Sequence, residues 1–293
     1  MAKIGLIDID SKIPNLALMK LSAWHKAQGD DVELTIPVLA PAYDKAYVSK
    51  VFVWTGLPEM QGNVEIGGTG WDVARTLPRE AEAFCPDYDL YVGMDYSVGF
   101  LTRGCNRCCP WCIVPEKEGA IKPAADIEDF LRHKRAILLD NNVLSHSWGI
   151  NQIQKIAGMD VRVDFNQGLD ARMIDQITAK LLARVKWIRA IRLACDTQAM
   201  KSHIENAVKM LRGAGFKKEI WCYLLVADNV DDAHDRAEFL RGLGVTPFAQ
   251  PYRDRNGTEP NRQAKRFARW VNRREIFKTV AWKDYGKMEE DKP

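Results

Sequence analysis

Four of the seven cysteines in this 293-residue chain fall within eight positions: Cys105, Cys108, Cys109 and Cys112. Clustered thiols in a chain of this length suit a metal site better than a disulfide framework. Two ligand patterns can be drawn from them. All four together give two abutting C-x2-C pairs. A four-cysteine zinc site joins such pairs across a spacer, so that the sulfurs approach from opposite sides. With Cys108 and Cys109 adjacent, closure on one ion would be cramped. Cys105, Cys109 and Cys112 alone give C-x3-C-x2-C. Cubane clusters are held by thiolates on their irons, and three ligands on a short loop leave the fourth iron open to a chelating molecule. Cys108 is then a bystander, and zinc stays as the alternative.

The run Thr102-Arg103-Gly104-Cys105, followed by Cys109, Trp111, Cys112, Val114 and Pro115, resembles the signature of the radical S-adenosylmethionine superfamily. Within it, the run is similar to the branch that reads T/S-R-G-C-x3-C-x2-C-x-V-P, found in methylthiotransferases and cobalamin-associated members. The resemblance implies a [4Fe–4S] cluster on Cys105, Cys109 and Cys112. The amino and carboxylate groups of S-adenosylmethionine would chelate its open iron. An electron from the reduced cluster would split the sulfonium C–S bond, giving a 5′-deoxyadenosyl radical that abstracts hydrogen from a substrate. A reductant such as flavodoxin or ferredoxin is implied as a partner. Such cofactors carry the hard step, while the protein positions them and excludes water.

The family meets S-adenosylmethionine from successive strand ends. By position, this implicates Asp140 and Asn141 after the second strand, Gln167 and Asp170 after the third, and Asp196 after the fourth. The usual adenine contacts of the family correspond to backbone groups near Trp111 and around Leu225-Val226. Asp140-Asn141-Asn142 departs from the Gly-Gly-Glu form common at its place. For Gln167, Asp170 and Asp196, ribose contact and helix N-capping are both open, because polar residues of this kind favour caps for their own reasons.

Such a loop needs elements to position it. From Ser97 onward, strand-like segments at 97–103, 135–140, 161–166, 188–194, 219–226 and 246–251 alternate with helical ones at 126–133, 151–157, 173–186, 200–212 and 231–241. Right-handed crossovers would wind six such βα-like units into a partial (β/α)6 TIM-like barrel over residues 95–255. Barrels of this type place their active sites at the C-terminal strand ends, where the polar residues named above fall. Cys195 and Cys222 read as core thiols. Cys195 also keeps a catalytic option beside Asp196, and Cys85 reads as structural.

Residues 1–94 read as a small Rossmann-like α/β region. A buried strand at 4–9 is followed by a helix that carries Leu16 to Trp24 and ends near Gly29. Strands at 32–38 and 48–54 come next, then one from Asn63 that runs into Gly67-Gly68-Thr69-Gly70. That order suggests a small open parallel sheet. The region resembles the cobalamin-binding domain that precedes many radical S-adenosylmethionine barrels, in degenerate form. It lacks D-x-H-x-x-G, and the stretch from Trp54 to Val64 is too short for a crossover helix. Cobalamin is therefore not expected; the region reads as a cover for the barrel mouth or an aid to substrate binding. The glycine turn could cradle a phosphate or cofactor, although one such turn is a weak signal. His25 reads as a helix-surface residue.

Residues 256–293 form a basic C-terminal extension in which Arg262, Lys265, Arg266, Arg269, Arg273, Arg274 and Lys278 surround Phe267, Trp270 and Phe277. The apolar spacing predicts an amphipathic helix docked through Phe267, Trp270, Val271 and Phe277, with the cations solvated. The same mixture could grip a nucleic acid. The charged end, Met288–Pro293, reads as disordered.

A net charge of +3 is too small to imply nucleic acid by itself, and 46% hydrophobic with 28% charged residues is ordinary for a soluble globular protein. No run approaches the ~20 apolar residues of a membrane span, and the start lacks a signal-peptide pattern. The expectation is a cytoplasmic radical enzyme without a membrane partner. Fold does not choose its substrate among small molecules, peptides and RNA. An RNA-modifying methylthiotransferase- or methyltransferase-like enzyme is one alternative, and a non-catalytic zinc-stabilised binding protein is another.

Overall fold

The computed structural model describes residues 1–285, so the Met288–Pro293 end lies outside the described residues. Its first strand, Lys3–Asp8 (β1), is an aliphatic run buried along most of its length, as a central parallel strand must be. Asp31–Leu34 (β2) and Lys45–Ser49 (β3) pair parallel with its two edges, and Val64–Gly67 (β4) pairs parallel with β3. The order is β2-β1-β3-β4. The helix Leu16–Ala27 starts at Asn15, whose side chain accepts from the Leu18 amide. It packs on β1 to β3 and shares a small core with Ile4, Leu6, Val32 and Tyr47. Ile7, Ala40, Ala46 and Val48 form a second small cluster. Residues 50–63 join β3 to β4 without a helix.

Three details differ from the sequence reading. The strand expected to reach Val38 stops at Leu34, because Pro37 cannot donate to a ladder and opens the 3-10 turn Pro37–Ala42. The strand expected over 48–54 sits at Lys45–Ser49 instead, and the next amides go elsewhere. Val51 N (2.7 Å) and Phe52 N (3.0 Å) donate to the Asp10 carboxylate. His25 is not on the surface: it is buried, with Nδ1 2.8 Å from Asp30 Oδ2 and Nε2 3.0 Å from the Tyr47 hydroxyl.

The rest of the chain carries Ser97–Gly99 (β5), Thr102–Arg103 (β6), Lys122–Pro123 (β7), Arg135–Leu138 (β8) and Arg162–Phe165 (β9). Ala190–Ala194 (β10), Glu219–Val226 (β11) and Thr246–Pro251 (β12) follow. Two three-stranded parallel sheets result, β5-β8-β9 and β10-β11-β12. They meet at a parallel bridge between Val163 and Trp187, where Val163 N donates to Lys186 O and Ile188 N to Val163 O, both at 2.9 Å. The six strands therefore succeed one another in chain order, with helices Ser147–Ala157, Gln176–Arg184, Lys201–Gly213 and Val230–Gly242 between them. The fold is mixed α/β with parallel sheets. Among the described residues β12 does not pair with β5.

One large core runs from Leu101 to Tyr285 and contains Cys195 and Cys222, both fully buried. The helix expected at 126–133 is a single turn, Ile127–Phe130, because the amides of Arg132 and His133 donate to Ser97 Oγ (2.8 and 3.1 Å) instead of continuing it. The C-terminal helix Arg262–Asn272 buries Phe267, Trp270 and Val271, and Phe277 on Arg274–Thr279 is buried beside it. Its cationic positions Arg262, Lys265, Arg269 and Arg273 line an open groove of about 530 Å³ with Pro251. No helix among the described residues is long and apolar enough to cross a membrane.

Candidate metal centre

The cysteine loop is clamped at its base. Sequence reading treats 97–103 as one strand, but the structure breaks it: β5 ends at Gly99, and β6 turns to pair antiparallel with β7. Asp140 causes the break. Its carboxylate accepts from Leu101 N (3.3 Å), Thr102 N (2.6 Å) and Thr102 Oγ1 (2.7 Å). Asp140 is fully buried, and burial pushes its pKa up to about 6 against those hydrogen bonds. Beyond β6, Gly104 adopts φ +84°, and a Cβ there would fall 2.4 Å from Ala120 O. Only glycine fits such a conformation and approach without strain. Cys105 N then donates to Gly119 O (3.1 Å). Glu118 takes Gly104 N (2.7 Å), Asn141 Nδ2 (3.0 Å) and the Arg103 guanidinium (3.1 Å). The helix Val114–Glu118 carries this carboxylate back to the loop's entry.

Cys105, Cys109 and Cys112 lie within electrostatic reach of one another. Burial raises the pKa of the Cys109 thiol, and Cys112 and Cys105 raise it further against the pull of Arg172. Burial likewise raises Cys112; the backbone at Val114 and Arg255 work against it, while Cys105 and Asp196 reinforce it. Cys109 and Cys112 both sit beside other thiols that make their ionisation harder, a penalty that a bound cation relieves, since metal ligation requires the thiolate. Cys108 is exposed.

A polar network surrounds Cys105. Its sulfur accepts from Arg107 N (3.3 Å) and Asn142 Nδ2 (3.5 Å). Asp170 receives Arg107 Nε (3.0 Å), Asn142 Nδ2 (3.4 Å) and a two-pronged contact from Arg172 (2.7 and 3.0 Å). Burial opposes the Asp170 charge, but these donors outweigh it and hold the pKa below the usual carboxylate range. Asn142 is 3% exposed, and its Oδ1 has no hydrogen-bond partner. A buried orphan acceptor costs about 1–3 kcal/mol.

The residues expected to contact cofactor are placed unequally. Asp196 follows β10, accepts from Leu225 N (3.1 Å) and has its pKa raised by burial. It also lies within electrostatic reach of Cys109 and Cys112. Trp111 is half-buried between those two cysteines in sequence, and Gln167 is exposed on the turn after β9. Asn141 supports the loop through Glu118. Asp140 is sealed in the core with both oxygens committed to Leu101 and Thr102, where it positions the start of the loop. Asp170 caps the turn Ala171–Met173 and pairs with arginines as well, so one side chain does both jobs. Sequence reasoning missed Arg107, Arg172 and Glu118, whose roles depend on partners up to 63 residues away.

Among the described residues no three His, Cys, Asp or Glu side chains are gathered as a ready metal-ion site. The donor chemistry nonetheless fits a cluster. It offers three thiols on one loop, N–H donors on the Cys105 sulfur of the kind that tune iron–sulfur centres, and the buried unpartnered oxygen of Asn142 beside it. No family model matches the chain, and no match was found among curated proteins.

Proposed function

We propose that the chain is a radical S-adenosylmethionine enzyme, with Cys105, Cys109 and Cys112 as its cluster ligands. The observation that carries this reading is the setting of Cys105: its sulfur accepts from Arg107 N and Asn142 Nδ2 on a loop that also carries Cys109 and Cys112, while Cys108 is exposed. When bound, a [4Fe–4S] cluster would supply the electron that splits the sulfonium of S-adenosylmethionine, starting hydrogen abstraction from a substrate.

The chain's own residues then have defined tasks. Arg107 and Asn142 orient the Cys105 sulfur, and Arg172 eases ionisation of Cys109. Arg255 donates to Cys112 O (3.1 Å) and pairs with Glu116, which ties the segment after β12 onto the cysteine loop. Asp196 Oδ1 is held by Leu225 N, and we assign Oδ2 to a ribose hydroxyl. The buried Arg236 donates to Cys195 O (2.6 Å) and Leu225 O (3.0 Å), which fixes the ends of β10 and β11 around that carboxylate. On this reading the six parallel strands form an open, partial (β/α)6 barrel whose C-terminal ends face the loop. The electron comes from a cytoplasmic reductant of the flavodoxin or ferredoxin type.

The test is anaerobic reconstitution of the full chain with iron and sulfide, followed by dithionite and S-adenosylmethionine. Release of 5′-deoxyadenosine is the expected result. A protein loaded with iron that binds S-adenosylmethionine but never cleaves it would contradict the proposal.

A further inference from the structure

The helix Arg262–Asn272 has two faces with different fates. Its apolar face, with Phe267, Trp270 and Val271, is buried in the large core. Its last residue closes the outer edge of β12. Pro247 and Pro251 have no amide hydrogen to offer there, and the residue midway between them is capped. Asn272 Oδ1 accepts from Ala249 N (2.8 Å), and its Nδ2 donates to Ala249 O (2.9 Å). The opposite face carries Arg262, Lys265 and Arg269, with Arg273 directly after the helix. Spacings of three and four residues bring these side chains into one row. At the rise of a helix, that row is roughly 16 Å long.

The four cations and Pro251 line the groove of about 530 Å³, and no carboxylate lines it. Lys265 pairs with Glu259, whereas Arg262 and Arg273 have no carboxylate partner among the described residues. A chain with a net charge of only +3 thus gathers four positive side chains along one opening. Such a row repels itself, and a ligand with negative charges repeated along its length offsets that repulsion.

The groove discriminates among polyanions. An acidic protein partner would need a buried apolar anchor, and the lining offers only Pro251 and Ala268. A lipid surface would need the apolar face of the helix, and that face is in the core. A single nucleic-acid strand needs neither, because its phosphates supply the attraction. It can also lay successive phosphates along a straight row, whereas the backbone of a duplex winds away from one.

We propose that the groove between the Arg262–Asn272 helix and the end of β12 binds a single nucleic-acid strand by its phosphodiester backbone. The planar fork of arginine suits phosphate oxygens. The one amide side chain in the lining, Asn272, is committed to Ala249, so recognition runs through phosphates. Pro251 ends β12, and four residues on Arg255 donates to Cys112 O. A strand in the groove therefore lies beside the segment that is tied to the cysteine loop. The inference goes beyond the radical chemistry and stands without it.

The experiment is fluorescence anisotropy of labelled oligouridylate and oligodeoxythymidylate, titrated with the full chain over a range of salt, with and without cluster reconstitution. Each phosphate neutralised on a single strand contributes about −0.7 to the log–log slope of affinity against salt, so about three or four contacts give about −2 to −3. Both strands should bind alike. Arg262→Gln with Arg273→Gln should reduce the slope by about 1.4 and weaken binding at low salt by about tenfold. Arg262→Lys with Arg273→Lys should restore the slope, and Arg184→Gln, at an exposed cation on another helix, should leave it unchanged. Circular dichroism checks that each variant folds. Absence of binding at low salt, or an unchanged slope in the glutamine variant, overturns the site. Equal competition by polyglutamate, by a duplex of the same length or by phosphatidylglycerol vesicles overturns it as well. Because the readout needs neither iron nor S-adenosylmethionine, its failure is distinct from failure of cleavage.

Discussion

Strand-end loops in the N-terminal sheet are locked by close backbone packing, with Gly68 on Lys50 O and Gly70 on the Phe52 backbone, and the Asp10 carboxylate ties down the amides of Val51 and Phe52. The cysteine loop uses the same device at its base, where Gly104 lies on Ala120 O and β6 pairs with β7. Past the base side chains join the backbone in holding the cysteines: Arg107 N and Asn142 Nδ2 reach the Cys105 sulfur, Asp170 ties Arg107 and Asn142 together, and Arg172 lies toward Cys109. The first arrangement makes a fixed wall. The second makes a loop whose root is rigid and whose thiols lie among charged and polar side chains. Metal sites are tuned through such surrounding hydrogen bonds, so the contrast is the one that the proposed function would require of its ligand loop.

A matched pair of glycine substitutions is the strongest way to break that comparison. Gly104→Ala and Gly68→Ala both force a side chain into a positive φ and onto a backbone oxygen. Each should cost on the order of 1–3 kcal/mol from the backbone conformation alone. Thermal denaturation should show comparable losses. Iron retained after reconstitution should fall only in Gly104→Ala, because only that change displaces Cys105. Equal iron loss in both variants would mean that the two regions are not separable in this way.

A smaller effect should come from Asp140. Its folded pKa of about 6 lies above the ordinary carboxylate value, so the folded state holds its proton more tightly than the unfolded chain does. Between about pH 4 and pH 6 the native protein therefore binds more protons, and stability falls as pH rises through that window. Asp140→Asn cannot ionise. Denaturant midpoints should show wild type losing ground to the variant from pH 4 to pH 6, with a constant gap above. A gap independent of pH would show that the buried carboxyl does not titrate in this window.

Much of this was legible beforehand, for identifiable reasons. β11 and β12 lie where the sequence put them, Glu219–Val226 and Thr246–Pro251: the first is a run of aliphatic and aromatic residues, and the second follows Gly244 at the end of a helix and closes on Pro251. Phe267, Trp270, Val271 and Phe277 are buried as their helical spacing required. What failed was local pattern competing with distant polar groups. Asp140 broke the strand at 97–103, Asp10 drew off the amides after Ser49, and Ser97 stopped the helix at Phe130. His25 read as exposed because its partners Asp30 and Tyr47 belong to a later turn and strand. At the site, the cysteine spacing was visible at once. The Arg107–Asp170–Arg172 network needed the fold to bring it together.

The division between ligand thiols and bystander is the centre of the account, and metal content measures it directly. Iron, zinc and acid-labile sulfide would be counted per chain after anaerobic reconstitution of wild type and of Cys105→Ala, Cys109→Ala, Cys112→Ala and Cys108→Ala. The predicted result is about four irons in wild type and in Cys108→Ala, with loss of the cluster in the other three variants. One zinc with no iron, or loss of iron in Cys108→Ala equal to that in its neighbours, would contradict it.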